Sequence, residues 1–111
     1  MVADGQAATR ELLATYPEIS ALFCYNDLVA VGALQACSDL GRQVPEDLAV
    51  VGYDDIPLAA LVTPALTTCR VPRYELGSQT VDLLLDQIND CSEGCEEIVL
   101  ASELVVRASA P

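Results

Sequence analysis

The sequence predicts an α/β fold, a partial doubly wound parallel sheet, from three observations. Helical and extended segments alternate along the chain, in the order that a parallel sheet with crossover helices requires. The two clearest extended segments, "ALFCY" (residues 21–25) and "LAVVGY" (residues 48–53), are continuous apolar runs rather than alternating ones. Strands buried on both faces read in that way. Each run ends directly in Asn or Asp, residues suited to turning the chain and capping a helix.

The elements follow in order. Residues 4–16 read as an amphipathic helix, capped by Asp4, with Ala8, Leu12 and Tyr16 on one face, and stopped by Tyr16-Pro17. "ALFCY" is the first strand. Asn26-Asp27 suit an N-cap, and the next helix runs over residues 28–40, with Val31, Leu34 and Cys37 or Ser38 as its apolar stripe. Gly41 supplies the C′ stop. The loop "RQVPED" leads to the second strand. After Asp54-Asp55, "LAALV" is a helical turn or two, closed by Thr63-Pro64, and "LTTCR" is a connecting strand. The clearest helix spans residues 74–89, with Leu76, Leu83, Leu84 and Ile88 on one side. "EIVL" and "ELVV" read as short strands near the C-terminus, so four or five strands are expected.

At 111 residues the chain is one domain or part of one. Seventeen Asp and Glu face five Arg, for a formal net charge of −12. Nucleic-acid affinity rests largely on cations neutralising phosphates, so this chain alone should repel DNA. It is equally unsuited to an anionic membrane surface. No apolar run is long enough to span a bilayer. The N-terminal "MVADGQAATRELL" lacks the basic region and apolar stretch of a secretory signal, so a cytoplasmic location is expected.

The chain contains neither His nor Lys. That excludes Ser-His-Asp and Cys-His catalysis, Schiff-base chemistry and a P-loop lysine. No catalytic residue, cofactor or metal is expected. Cys24, Cys37 and Cys69 lie in apolar segments, where a thiol acts as a small hydrophobe. Cys91 and Cys95, in "CSEGC", lack the further ligands a metal would want and are expected to be reduced loop thiols.

In open parallel sheets, ligands bind beyond the carboxyl ends of the strands. Asn26-Asp27 and Asp54-Asp55 both stand there, and they face one crevice if their strands are neighbours. Carboxylates and an amide match a polyol, an amine or an amide edge, and they repel an anion. Such residues also serve as caps and turn formers. For the adjacent Asp54-Asp55 a shared-proton dyad is a further possibility, although nothing else supports a reaction.

Within a stretch of likeness from about residue 5 to 109, ordered motifs begin at Asn26: ND followed by A-x-G-A-L, then G-x-x-V-P-E-D, V-V-G-Y-D-D, T-P-x-L-T-T, E-L-G and the closing "ELVVRAS". In these the chain closely resembles the LacI/GalR family of bacterial transcription regulators. The resemblance implies a periplasmic-binding-protein-like (type I) sensor domain, with residues 1–111 as the C-terminal part of its effector-binding and dimerisation domain. It implies that Asn26 and Asp54 contact a small-molecule effector, a sugar or nucleobase-like compound and most readily a carbohydrate. It also implies that Asp27 and Asp55 hold the strand ends and hinge. Val31, Ala59, Ala60, Val62 and Thr63 fall where family members form homodimers. "LTTCRVP" matches a hinge crossover. The family's helix-turn-helix and most of the first lobe have no counterpart here, so DNA would be reached only through that absent element. Two alternatives remain: part of a sugar-binding protein of an uptake system, which shares the fold, or a dimerisation module that senses nothing.

Overall fold

The computed structural model describes residues 1–89 and 97–111. Good helix formers fill helix α1, Val2–Thr15, until Pro17 forces the preceding Tyr16 out of helical geometry (φ −131°). Its N-cap is Met1, not Asp4; Asp4 lies inside the first turn, paired with the N-terminal ammonium at 2.7 Å. Strand β1, Ala21–Phe23, is shorter than its apolar run. Helix α2, Asp27–Asp39, opens on Asn26, whose Oδ1 accepts the Val29 N–H at 2.9 Å. It stops at Gly41, which takes the left-handed φ of 69° that a side chain would resist.

Strand β2, Ala49–Asp54, leads to a 3₁₀ turn, Pro57–Ala60, and then to strand β3, Thr67–Arg70. Strand β4, Glu103–Val105, completes a sheet in the order β1-β2-β3-β4. The first three strands are parallel, with Phe23 opposite Val51 and Gly52 opposite Thr68. The last pair is antiparallel, with Thr68 opposite Val105. The architecture is therefore the expected α/β class with a mostly parallel, four-stranded sheet. Residues 97–100, expected as a strand, have no regular structure.

The chain divides into two compact units, Met1–Arg70 with Glu103–Pro111, and Val71–Ser102. In the first, Leu48, Val50 and Leu66 are fully buried between sheet and helices, joined by Ala30, Ala33 and Cys37 of α2. Thr67 and Ser109 hold the C-terminal segment in this core: Ser109 Oγ donates to the Val50 carbonyl (2.6 Å) and accepts the Thr67 N–H (2.8 Å). In β2, Val50 and Gly52 are buried while Val51 and Tyr53 are half-buried, so the two faces of the strand are covered unequally.

The buried side of α1 is Gly5, Thr9 and Leu13, one residue round the helix from the expected Ala8, Leu12 and Tyr16. Close backbone approach is the cause. A Cβ on Gly5 would collide with the Val29 carbonyl, and one on Gly32 with the Val2 carbonyl. The two glycines thus let α1 and α2 touch main chain to main chain.

The second unit contains helix α3, Arg73–Ile88, none of whose residues is buried. Cys24 and Cys37 are free and buried, and Cys69 is free and half-buried. Burial, reinforced by Cys37, pushes the Cys24 thiol up to about 11. The Cys91–Cys95 cluster lies outside the described residues. Among the described residues, no helix is long and apolar enough to cross a membrane.

Candidate functional site at the strand ends

Parallel pairing of β1 with β2 brings both polar pairs to one edge of the sheet, as neighbouring strands must. Asn26 and Asp54 line a common cleft of about 400 Å³ with Phe23, Tyr25 and Tyr53. Phe23 and Tyr25 are largely exposed there, at 70% and 83%. None of these five lining residues is cationic.

The four polar side chains do different work. Asn26 is nearly buried, its Oδ1 committed to the α2 cap and its amide directed to the Met1 sulfur at 3.3 Å. Asp27 is wholly buried. Its Oδ2 accepts the Ile56 N–H (2.8 Å) and its Oδ1 accepts the Thr68 hydroxyl (2.6 Å). One carboxyl therefore ties the start of α2 to the loop after β2 and to the centre of β3. A Cβ at Gly52 would strike Asp27 Oδ1, so only glycine lets this carboxyl sit against β2.

Asp55 is similarly engaged, with a side chain only 9% exposed. Arg70 Nε donates to its Oδ2 and Arg107 Nη2 to its Oδ1, both at 2.7 Å. Arg107 Nη1 also donates to the Leu66 carbonyl (2.9 Å). Burial works to raise the Asp55 carboxyl, but hydrogen bonds and charge from Arg70 and Arg107 outweigh it and hold it below its ordinary 3.8. The hydrogen bond to Asp55 correspondingly raises Arg70 above its ordinary value.

Asp54 is the exception. Its side chain makes no hydrogen bond or ion pair among the described residues, and it borders the cleft. Its backbone has φ of 109° and that of Asp55 has 54°, two successive positive values in non-glycine residues. Such strain costs about 1–3 kcal/mol per residue and gathers at functional sites, where the surrounding structure enforces it.

The sequence brought out Asn26, Asp27, Asp54 and Asp55 through their position after apolar strands. It did not bring out Thr68 and Arg107, which meet Asp27 and Asp55 from 41 and 52 residues away. It also passed over the aromatic rim, since Phe23, Tyr25 and Tyr53 read as strand residues. Among the described residues, no group of three or more His, Cys, Asp or Glu is arranged to hold a metal.

Elsewhere on the first unit, Val31, Val62 and Thr63 line a shallow depression of about 240 Å³ with Leu34, Gln35 and Ser38. Ala60 is exposed, whereas Ala59 is fully buried in the core. Ala59 therefore has no surface to offer the second chain expected to meet it.

Residues 2–110 match the pattern of the periplasmic binding protein-like domain family. The ribose operon repressor of Halalkalibacterium halodurans is 39% identical over 104 residues, which are 94% of this chain and 31% of that repressor. Among solved structures, the transcriptional regulator CelR in complex with cellobiose superposes with a TM-score of 0.95 at 38% identity, over 99% of this chain and 34% of that one. A LacI family transcriptional regulator from Arthrobacter sp. FB24 in complex with lactose gives 0.89 at 34% identity, over 100% of this chain and 42% of that one. The chain thus spans about a third of the repressor's length. These relatives regulate transcription and are not enzymes. The chain belongs to the periplasmic binding protein-like family, in the form of that domain carried by LacI-family transcriptional regulators.

Proposed function

We propose that this chain forms one wall of the effector cleft of a LacI-type transcriptional regulator, and that the effector is an uncharged carbohydrate. The observation that carries this reading is Asp54. Its carboxyl borders an aromatic-rimmed cleft and makes no side-chain hydrogen bond or ion pair among the described residues. A carboxylate accepts several hydroxyl hydrogen bonds, and the faces of Phe23, Tyr25 and Tyr53 suit the apolar side of a sugar ring. Asn26 contributes through its amide rather than its carbonyl, which the helix cap already uses. Asp27 and Asp55 act as scaffold through the contacts described above. The cellobiose and lactose held by two similar regulators support this class of ligand.

Two further parts belong to the same proposal. The chain pairs with a second copy through Val31, Ala60, Val62 and Thr63, with the exposed Leu61 beside them. Operator DNA is contacted by a separate helix-turn-helix of the regulator, in the cytoplasm, and not by this acidic surface.

A thermal-shift series with cellobiose, lactose, D-ribose and ribose 5-phosphate tests the reading. At a hundredfold excess over Kd a bound ligand adds about 2.7 kcal/mol, a rise of several degrees. A neutral sugar is expected to raise the melting temperature and ribose 5-phosphate is not. A shift with the phosphate alone would defeat the proposal; no shift with any would favour a module that dimerises without sensing.

A further inference from the structure

We propose that Arg107, outside the cleft, is a positioning residue that sets effector affinity by fixing the direction of Asp54 through Asp55. The inference rests on the effector reading above and adds a residue to it. The Asp54 side chain makes no hydrogen bond or ion pair among the described residues, so its direction is set chiefly by its backbone. That backbone is strained, with φ of 109° followed by 54°. A strained pair persists only where neighbouring contacts over-determine it. Asp54 stands opposite Arg70 in the β2–β3 ladder, and the side-chain contacts fall on the next two residues. Asp55 is gripped at both oxygens, by Arg70 and by Arg107, and Ile56 N–H is held by Asp27.

The two arginines are not equivalent. Arg70 is half-exposed and also faces Glu103 at 3.7 Å, so solvent and a competing carboxylate weaken its grip. Arg107 is only 18% exposed, and its planar fork spans two partners, the Asp55 carboxylate and the Leu66 carbonyl. It is thereby anchored to the entry of β3 while it holds the loop after β2. A guanidinium can bridge two acceptors in a fixed plane, which an ammonium cannot.

The test pairs Arg107→Met with Asp54→Asn in a double-mutant cycle, with Arg107→Lys as the milder variant should the first fail to fold. Affinities for cellobiose, lactose and D-ribose are read by NMR titration, and amide exchange is followed at Ile56 and at Cys24, whose N–H bonds the Val51 carbonyl. Arg107→Met is expected to weaken sugar binding about tenfold in the wild-type background and hardly at all beside Asp54→Asn. Exchange at Ile56 should quicken about tenfold relative to Cys24, with Arg107→Lys between the two. Additive losses, or equal acceleration at Ile56 and Cys24, would show a merely structural arginine and overturn the proposal. If the wild-type chain ignores all three sugars, the effector reading falls, while the Ile56 to Cys24 ratio still decides whether Arg107 holds the loop.

Discussion

Asp27, Asp54 and Asp55 show how three like residues acquire separate tasks from their surroundings. Asp27 is buried and bonded to a hydroxyl and an N–H, Asp55 is clasped by two guanidinium groups, and Asp54 is left to the cleft. The clasp has a consequence for acid stability. The folded Asp55 carboxyl lies below its unfolded value, so the native state holds fewer protons than the unfolded state as pH falls toward 4. Its contribution is complete above the unfolded pKa and is lost as pH falls through the lower, folded one. Urea midpoints measured from pH 6 downward should therefore drop more steeply below about pH 4 in the wild type than in Arg107→Met. Parallel pH profiles for the two proteins would contradict this.

The positions of these aspartates were legible because a polar residue just after an apolar strand is a local signal. Their partners were not. Thr68 lies inside a strand that reads as ordinary β sequence, and Arg107 follows another, with no spacing that links either to an aspartate. Asn26 illustrates the opposite case: the cap and the cleft drew on the same residue, and its carbonyl oxygen went to the cap.

Among the elements, the α1–α2 pair depends most on single residues. Gly5 and Gly32 face the opposite backbone so closely that neither has room for a methyl group. Overpacking a tight contact costs about 1–3 kcal/mol, more where only main chain stands in the way. Gly32→Ala should lower the unfolding free energy read from urea melts by that amount, even though alanine favours a helix intrinsically. Gly41→Ala, where a Cβ meets nothing and only the left-handed φ resists, should cost less. A stabilised Gly32→Ala would disprove the close contact.

The sequence located α2 and α3 within a residue or two, since cap, stripe and stop agree along α2 and a long apolar stripe marks α3. It misjudged the face of α1 because a periodicity argument counts apolar side chains, whereas this interface is built on the lack of one. Residues 97–100 carry strand-like composition but no strand; a ladder needs a partner, and composition does not supply it. The antiparallel turn of β4 onto β3 was invisible for a similar reason, since orientation is a property of the pair.

Across the whole molecule, the net charge of −12 and the strand-end cleft are in keeping with the proposed uncharged ligand and disfavour nucleic acid. The dimer reading makes its own demand. Leu61 is 77% exposed beside the depression of Val31, Val62 and Thr63, so Leu61→Glu should leave the fold intact. Sedimentation should then find a dimer in the wild type and a monomer in Leu61→Glu. Equal sedimentation of the two would remove that surface from the interface.

On the proposed function, the Asp54 carboxyl accepts hydrogen bonds from a neutral sugar. A two-dimensional NMR titration with cellobiose, lactose and D-ribose, run on the wild type and on Asp54→Asn, decides whether it does. A hydrogen bond to a charged group is worth about 1.5–3 kcal/mol, or roughly ten- to a hundredfold in affinity. At least one sugar should shift the amides of Tyr25, Asn26 and Asp54 in the wild type. Asp54→Asn should then require at least about tenfold more sugar at an unchanged melting temperature. Equal affinity in both proteins, or shifts confined to residues away from the strand ends, would contradict it.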